Sequence, residues 1–149
     1  MNKNPITIET TVKAPLSKVW DYWTNPKHIV KWAFVEDTWE APSAENDIRT
    51  GGKFKTVMAA KDKSSQFDFT GVYTAVIEHE LIEYDMEDPP SHKASEGQGG
   101  RHVKIVFEET PDGVKITETF DPEQENSEEM QREGWQNILN NFKKYVEHA

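Results

Sequence analysis

Short alternating segments followed by one long amphipathic segment constrain the fold of this chain more than any other feature. Between residues 37 and 120, apolar and polar residues alternate in about six segments, the pattern of strands with one buried face. A further alternating segment, Ile6–Val12, lies near the start of the chain, and residues 126–148 have helical spacing. This order predicts an α+β fold in a single domain, residues 1–149, built on an antiparallel sheet.

The predicted sheet is wider than one helix can cover. Six or seven strands at about 4.8 Å spacing span roughly 30 Å, whereas a helix is about 10 Å across. Because the inner face of such a sheet must be covered, we expect the sheet to curve around the C-terminal helix. Large side chains would then either fill the interior or leave a void of ligand size, and both alternatives stay open.

Two short helices are predicted between the first strand and the β region. Pro15 suits a first helical position, and Asn25-Pro26 ends the first helix and begins the second, because the residue before proline avoids helical geometry. The apolar residues at helical spacing are Leu16, Val19, Trp20 and Trp23 in the first helix, and Ile29 and Trp32 in the second.

Turn residues divide the β region into strands. A short strand at 39–41 is predicted to end in a loop over 42–52, and Gly71 predicts a bulge or sharp bend inside a long strand. Pro111-Asp112-Gly113 has the chemistry of a hairpin turn. The other predicted strands are residues 53–60, 66–78, 81–86, 101–109 and 114–120. The polar segment 87–100 is predicted to be a mobile surface loop or a lid.

The C-terminal helix is predicted to present a wide apolar face to the sheet. Asn126 and Glu129 have the spacing of a capping box. Gly134 interrupts the apolar face, which predicts close approach by a strand or a ligand, and Trp135 is expected to be buried against the sheet. The residues of this face are Met130, Trp135, Ile138, Leu139, Phe142, Tyr145 and Val146.

Charge and composition argue against several classes of partner. The net charge of −10 would repel a nucleic-acid backbone or an anionic membrane. No apolar stretch approaches the roughly 18 residues of a membrane span, and the first five residues do not resemble a signal peptide. The lack of cysteine suits a reducing compartment, so a cytoplasmic location is expected. Five dispersed histidines show no metal-ligand spacing, and no glycine-rich phosphate loop opens a helix, so neither metal nor cofactor is expected.

Glu118 is the candidate catalytic residue. If Val114, Ile116 and Phe120 face the interior, alternation places Glu118 there too, whereas His102 faces outward. A carboxyl group facing an aromatic interior would have a raised pKa and could act as an acid, a base or a hydrogen-bond anchor. Two structural alternatives stay open, a bulge that turns Glu118 outward or an ion pair with a cation such as Arg49.

The residues expected to contact a ligand combine the aromatic inner face with a few polar groups. The chain contains five Trp, four Tyr and seven Phe, enough either to fill a core or to line a pocket. The candidate ligand-binding residues are Trp32, Phe54, Met58, Phe67, Phe69, Tyr84, Glu118, Gln131, Trp135 and Ile138.

Segments along residues 6–147 occur in an order and spacing that resemble a known family. They are Ala14-Pro15 before Val19-Trp20, Asn25-Pro26 with Ile29 and Trp32, Asp47-Ile48-Arg49 before Gly51-Gly52-Lys53-Phe54, and Gly134-Trp135 with Leu139, Phe142 and Tyr145. Together they resemble the activator-of-heat-shock-protein-ATPase homologue family, within the START-like helix-grip superfamily that includes polyketide cyclases and the birch-pollen allergen. The resemblance implies a helix-grip fold with a pocket between the sheet and the C-terminal helix.

The resemblance implies less about activity, because members of this superfamily bind lipids, aromatic polyketides, hormones or a chaperone. The leading hypothesis is a domain that binds a small hydrophobic or aromatic molecule. The second is cyclase- or dehydratase-like catalysis in the same pocket, with Glu118 as base and Tyr84 as its partner. The third is a chaperone-interacting module, although no exposed amphipathic stripe supports it. A homodimer through a sheet edge or a helix also stays open.

Overall fold

One antiparallel sheet, curled into a half-barrel, carries most of the described chain. The computed structural model describes residues 5–34, 38–87, 101–122 and 127–148, with the side chains of Phe67 and Glu87 left aside. The elements in these ranges are β1 (Ile6–Val12), α1 (Leu16–Thr24), α2 (Pro26–Ile29), β2 (Trp39–Asn46), β3 (Lys53–Ala60), β4 (Gln66–Ile77), β5 (Leu81–Glu87), β6 (His102–Thr110), β7 (Gly113–Phe120) and α3 (Glu128–Glu147). The predicted helix-grip fold, with its two short helices after the first strand, is confirmed.

The strand order β1-β7-β6-β5-β4-β3-β2 brings the first strand beside the last. Neighbouring strands are antiparallel throughout the described sheet, so inward-facing residues alternate with outward-facing ones along each strand. On β7 the buried inward set is Val114, Ile116, Glu118 and Phe120. The alternation read from the sequence therefore gives the correct register on the strand that carries Glu118.

Helix α3 packs into the sheet and also covers the edge strand β1. Leu139, Phe142 and Val146 are almost completely buried. Two long side chains donate to carbonyl groups of β1, Arg132 Nη1 to Thr7 at 2.7 Å and Lys143 Nζ to Thr11 at 2.8 Å. These bonds occupy backbone groups that an exposed edge would offer to another strand.

Two predictions about the β region are wrong in detail. Strand β2 continues through Pro42 to Asn46 instead of giving way to a loop, because it is an edge strand whose pairing is irregular between Glu40 and Ser43. Proline is tolerated at such positions. The irregularity in β4 lies between Tyr73 and Ala75, not at Gly71.

Gly71 has a different role from the predicted bend. A Cβ atom there would lie 2.6 Å from the Phe54 ring and 2.8 Å from the Asp85 carbonyl oxygen. The glycine therefore lets the Phe54 side chain cross directly over β4, towards the middle of the inner face.

Three predictions about α3 need correction. Its N-cap is Ser127, whose side chain accepts from the Met130 amide, and Asn126 lies outside the described residues. Met130 is 62% exposed, so the apolar face begins later than predicted. Among the described residues, apart from its chain neighbours and its own helix backbone, no atom lies within 4 Å of the position of a Cβ atom on Gly134, so no described strand approaches it. The proposed lid, apart from Glu87 at the end of β5, also lies outside the described residues.

Candidate functional site

A pocket of about 310 Å³ lies between the inner face of the sheet and the helices. Its walls come from β2–β7, α1, α2 and α3, so residues distant in sequence meet there. The lining residues are Trp23, Ile29, Trp32, Ala33, Glu45, Asn46, Phe54, Met58, Phe69, Tyr73, Ile82, Tyr84, Ile105, Glu118, Gln131, Gly134, Trp135 and Ile138.

One wall of the pocket consists of aromatic rings in edge-to-face contact. The Tyr84 ring lies 4.8 Å from the Phe54 ring and 6.1 Å from the Phe69 ring, measured between centroids. Phe69 in turn lies 6.3 Å from Trp135, which stacks on Phe120 at 3.9 Å. Such ring pairs fix one another's orientation. The wall is thus a continuous surface that joins β3, β4 and β5 to α3 and β7.

Trp135 contacts the sheet as predicted, but it is only half-buried. One face of its indole stacks on Phe120, while the side chain also borders the pocket. The predicted burial against the sheet is thus only partial, because helical spacing identifies the face that points to the sheet, not whether the space beside it is filled.

Glu118 lies in a row of isoleucines that crosses the sheet. Its partner on β1 is Ile8 and its partner on β6 is Ile105, which pairs in turn with Ile82 on β5. The residue is 6% exposed, and within the described ranges no hydrogen-bond donor contacts its carboxyl group. Burial among aliphatic neighbours raises the pKa of Glu118 to about 8.

A bulge at Glu118 and an ion pair with Arg49 are both excluded by the contacts of the described residues. No bulge interrupts β7 next to it, since β1 and β6 pair with β7 in regular register. Arg49 lies on the exposed surface, where its Nε donates to Asp47 Oδ2 at 2.9 Å. The carboxyl group therefore faces the pocket.

Tyr84 is the second polar group of this region. Its side chain is buried, and that burial raises the pKa of its phenol well above the ordinary value. The nearby Glu118 carboxylate and Tyr73 raise the pKa further, while Arg101 acts in the opposite direction. Tyr84 therefore stays protonated near neutral pH and can donate a hydrogen bond.

Two other polar side chains that line the pocket, Tyr73 and Asn46, form hydrogen bonds with other protein groups. The Tyr73 hydroxyl donates to Asn46 Oδ1, and Asn46 Nδ2 donates to the Thr24 carbonyl oxygen at 2.7 Å. These bonds tie β4 to β2 and to the end of α1. Glu45 is exposed, so its contribution to the lining lies on the solvent side.

Of the ten candidate ligand-binding residues, nine line the pocket, and the side chain of Phe67 lies outside the description. The lining residues that sequence reasoning missed are Trp23, Ile29, Ala33, Glu45, Asn46, Tyr73, Ile82 and Ile105. Gly134, which the sequence predicts to be a point of close approach by a strand or a ligand, also lines the pocket. Glu45 and Asn46 were missed because their strand was assigned to a loop. Ile82 and Ile105 alternate inward like Tyr84 and could have been found by the same register.

An ionisable cluster on the outer face of the sheet is separate from the pocket. His102 Nδ1 lies 2.7 Å from Asp85 Oδ1, and its Nε2 lies 2.9 Å from Glu83 Oε1. Partial burial lowers the pKa of His102, but the hydrogen bonds to Asp85 and Glu83 together raise it more, so the net change is upward from 6.5. His102 faces outward, as the register predicts.

We expect His102→Gln to destabilise the fold only where the imidazole is charged. Because the folded pKa is raised, the stabilisation is complete below about pH 6.5 and is lost as pH rises through the folded pKa. The effect should stay below about 1 kcal/mol, since the side chain is 40% exposed. Urea unfolding of both proteins at pH 5.5 and pH 9 measures it. A larger difference at pH 9 than at pH 5.5 would contradict this assignment.

Among the described residues, no group of three or more His, Asp or Glu side chains could hold a metal ion. Within those ranges, no helix combines the length and apolarity needed to cross a bilayer.

A family model described as "Activator of Hsp90 ATPase homolog 1-like protein" matches residues 13–147. A solution structure of an AHSA1-like protein from Aeromonas hydrophila is 36% identical, with a TM-score of 0.86 over 97% of this chain and 93% of that chain. A second protein, from Cytophaga hutchinsonii, shares 48% sequence identity with this chain. Its solution structure gives a TM-score of 0.78, and the match covers 98% of this chain and 94% of that chain. A Chromobacterium violaceum crystal structure, 21% identical with a TM-score of 0.82 over 97% and 99%, shares the fold. Among proteins with curated descriptions, none matches significantly.

Proposed function

We propose that this chain, which belongs to the Activator of Hsp90 ATPase homolog 1-like family, binds a small hydrophobic or aromatic molecule in its pocket. The observation that carries the proposal is a space of about 310 Å³ with largely apolar walls, into which Glu118 and Tyr84 face. Ligand sites in proteins combine these features, with apolar walls for affinity and few polar groups for orientation.

The size of the pocket supports a ligand rather than a packing defect. Protein interiors pack as densely as organic crystals, and voids larger than a water molecule are few. The volume lies at the lower end of the range of about 300–1,000 Å³ found for ligand sites. A compact molecule with one or two rings fits this range better than a long lipid.

Binding can be tested with Nile red, a neutral dye that fluoresces in apolar surroundings. We expect saturable binding with one site per chain, and displacement of the dye by small aromatic competitors. A native mass spectrum of the protein purified without denaturation provides a second readout, because a retained ligand adds a discrete mass. Failure of the dye and of every aromatic or lipid competitor to bind would overturn the proposal.

A pocket-filling substitution on α3 provides the matching structural test. Gly134 lines the pocket and has open space where a Cβ would stand, so Gly134→Leu should place its side chain in that space. We expect Nile red affinity to fall by about tenfold or more, which corresponds to about 1.4 kcal/mol. The fold should not weaken, because leucine is favoured over glycine in a helix interior by nearly 1 kcal/mol.

The control for this variant is Asn137→Leu, which adds the same side chain at an exposed position of the same helix. Its dye affinity should stay within about twofold of the parent. Equal losses in both variants would show that the dye binds elsewhere on α3.

A second candidate function is proton transfer in the same pocket. The observation that favours it is the raised pKa of Glu118, about 8, which lies close to the working pH of a general acid or base. The protonated carboxyl group can donate to a departing hydroxyl group, and the carboxylate can accept a proton from a carbon beside a carbonyl. Dehydration of β-hydroxyketone probes, lost in Glu118→Gln while dye binding persists, would support this function.

A further inference from the structure

The ionisable side chains among the described lining residues are all acids, which are neutral or negatively charged and never positively charged. They are Glu45 at the exposed side, Glu118 in the buried row, and the two phenols Tyr73 and Tyr84. None of the described lining residues is Lys, Arg or His. Through its described lining residues, the pocket therefore offers a ligand carboxyl and hydroxyl groups but no cation.

The Glu118 carboxyl group receives no hydrogen bond from the described residues, so a ligand in the pocket could supply one. Its strand neighbours Ile8 and Ile105 cannot donate a hydrogen bond, and no described donor contacts it. A buried carboxyl group without a partner is costly, because it has lost its water without gaining a hydrogen bond. A ligand that brings a donor to this position would remove that cost.

The rings near Glu118 add a second preference for a positive charge. Trp135 stacks on Phe120, which is two residues along β7 from Glu118, and Phe69 and Tyr84 continue the wall from there. Aromatic faces attract cations through their quadrupoles, and cages of rings are used to recognise alkylated ammonium groups. A carboxylate beside such a wall provides both parts of an ammonium site.

Helix α3 brings no charge to this part of the pocket, and Arg101 is the nearby cation among the described residues. On α3 the neighbouring lining residues are the neutral Gln131, Trp135 and Ile138. Arg101 lies near this end, with its guanidinium carbon 5.9 Å from the Trp135 ring centroid, and its Nε donates to the Asp121 carbonyl oxygen at 2.9 Å. Arg101 is not among the lining residues.

Resting on the proposed binding function, we infer that the ligand is a small apolar amine, whose protonated nitrogen meets Glu118 while its hydrocarbon part lies against the aromatic wall. Above about pH 8, where Glu118 is ionised, an anionic ligand such as a fatty acid would bring its carboxylate to the Glu118 carboxylate in a site of low dielectric, where like charges repel strongly.

Three probes with one naphthalene skeleton test the charge preference. They are 2-(1-naphthyl)ethylamine, 1-naphthaleneethanol and 1-naphthylacetate, measured by calorimetry and by Nile red displacement at pH 9. The amine, with a pKa of about 10, is still charged there, whereas Glu118 is mostly ionised. We expect the amine to bind about tenfold more tightly than the alcohol, and the anion about tenfold more weakly.

The pH dependence of amine binding has a definite sign. Because only the ionised carboxylate pairs with the ammonium group, affinity should rise about tenfold from pH 7 to pH 9. At pH 7, where the carboxyl group is mostly protonated, binding should release nearly one proton to the buffer. Calorimetry in two buffers of different ionisation enthalpy measures this release. Tyr73 and Tyr84 do not contribute, because their raised pKa values keep them neutral over this range.

The matched variants are Glu118→Gln and Glu108→Gln, which carry the same substitution inside the pocket and on an exposed strand position. In Glu118→Gln the amine should lose its advantage over the alcohol, its pH dependence and its proton release, while the alcohol still binds. Glu108→Gln should retain all three properties.

The outcomes separate this inference from the function on which it rests. Preferential binding of 1-naphthylacetate, or an amine preference unchanged in Glu118→Gln, would overturn the inference and leave the ligand-binding function standing. Failure of all three naphthalene probes and of Nile red would overturn both.

Discussion

Glu118→Gln is expected to raise the free energy of unfolding by up to about 5 kcal/mol at alkaline pH. Burial raises the pKa of this carboxyl group from 4.5 to about 8, and each tenfold change in acidity corresponds to about 1.4 kcal/mol. Glutamine has nearly the same shape but carries no charge, so it avoids the cost of an ionised group among isoleucines. Urea unfolding of both proteins near pH 9 measures the difference.

The pH dependence of this effect distinguishes ionisation from packing. Below about pH 4.5 the carboxyl group is protonated in both states, so the variant and the parent should be equally stable. Between the unfolded and folded pKa values the unfolded state binds fewer protons, and the stability of the parent falls as pH rises. Above about pH 8 the full difference is present.

Glu108→Gln again serves as the control, because this glutamate is exposed on β6. Its stability difference from the parent should stay within about 0.5 kcal/mol at each pH. If Glu118→Gln were equally destabilising at pH 4 and pH 9, the side chain would be held by hydrogen bonds, and its assignment as an unpartnered acid would be wrong.

Phe142→Ala is expected to lower the free energy of unfolding by about 3–5 kcal/mol. The ring is completely buried and packs edge-on against Trp23 at 4.8 Å and Trp32 at 4.9 Å. Truncation removes the apolar surface that joins α3 to α1 and to the segment after α2. Thermal unfolding followed by tryptophan fluorescence should show a midpoint lower by on the order of 10 °C.

Met130→Ala provides the comparison on the same helix. This methionine is 62% exposed, so its truncation should change the free energy of unfolding by no more than about 0.5 kcal/mol. Similar losses in the two variants would mean that the buried face of α3 has been assigned incorrectly.

Patterns local to one strand or helix predicted their elements well. Alternation in residues 114–120 placed Glu118 on the inner face, because the side-chain period of a strand is two whatever the strand pairs with. Pattern reading failed where a neighbour decides the outcome. Residues 42–46 extend β2 because an edge strand tolerates Pro42, and the role of Gly71 comes from the Phe54 ring on the adjacent strand.

The sequence by itself determined the order of the strands along the chain, the two short helices, the final helix, and the inward register of the aromatic residues and Glu118. These follow from chain geometry within a few residues, which composition and spacing encode directly. Tertiary structure alone decided that Trp135 borders open space, that Gly134 faces no strand, and that Glu118 has isoleucine neighbours without a donor. Those features depend on sheet curvature and on pairings between residues far apart in the chain, which no local pattern specifies.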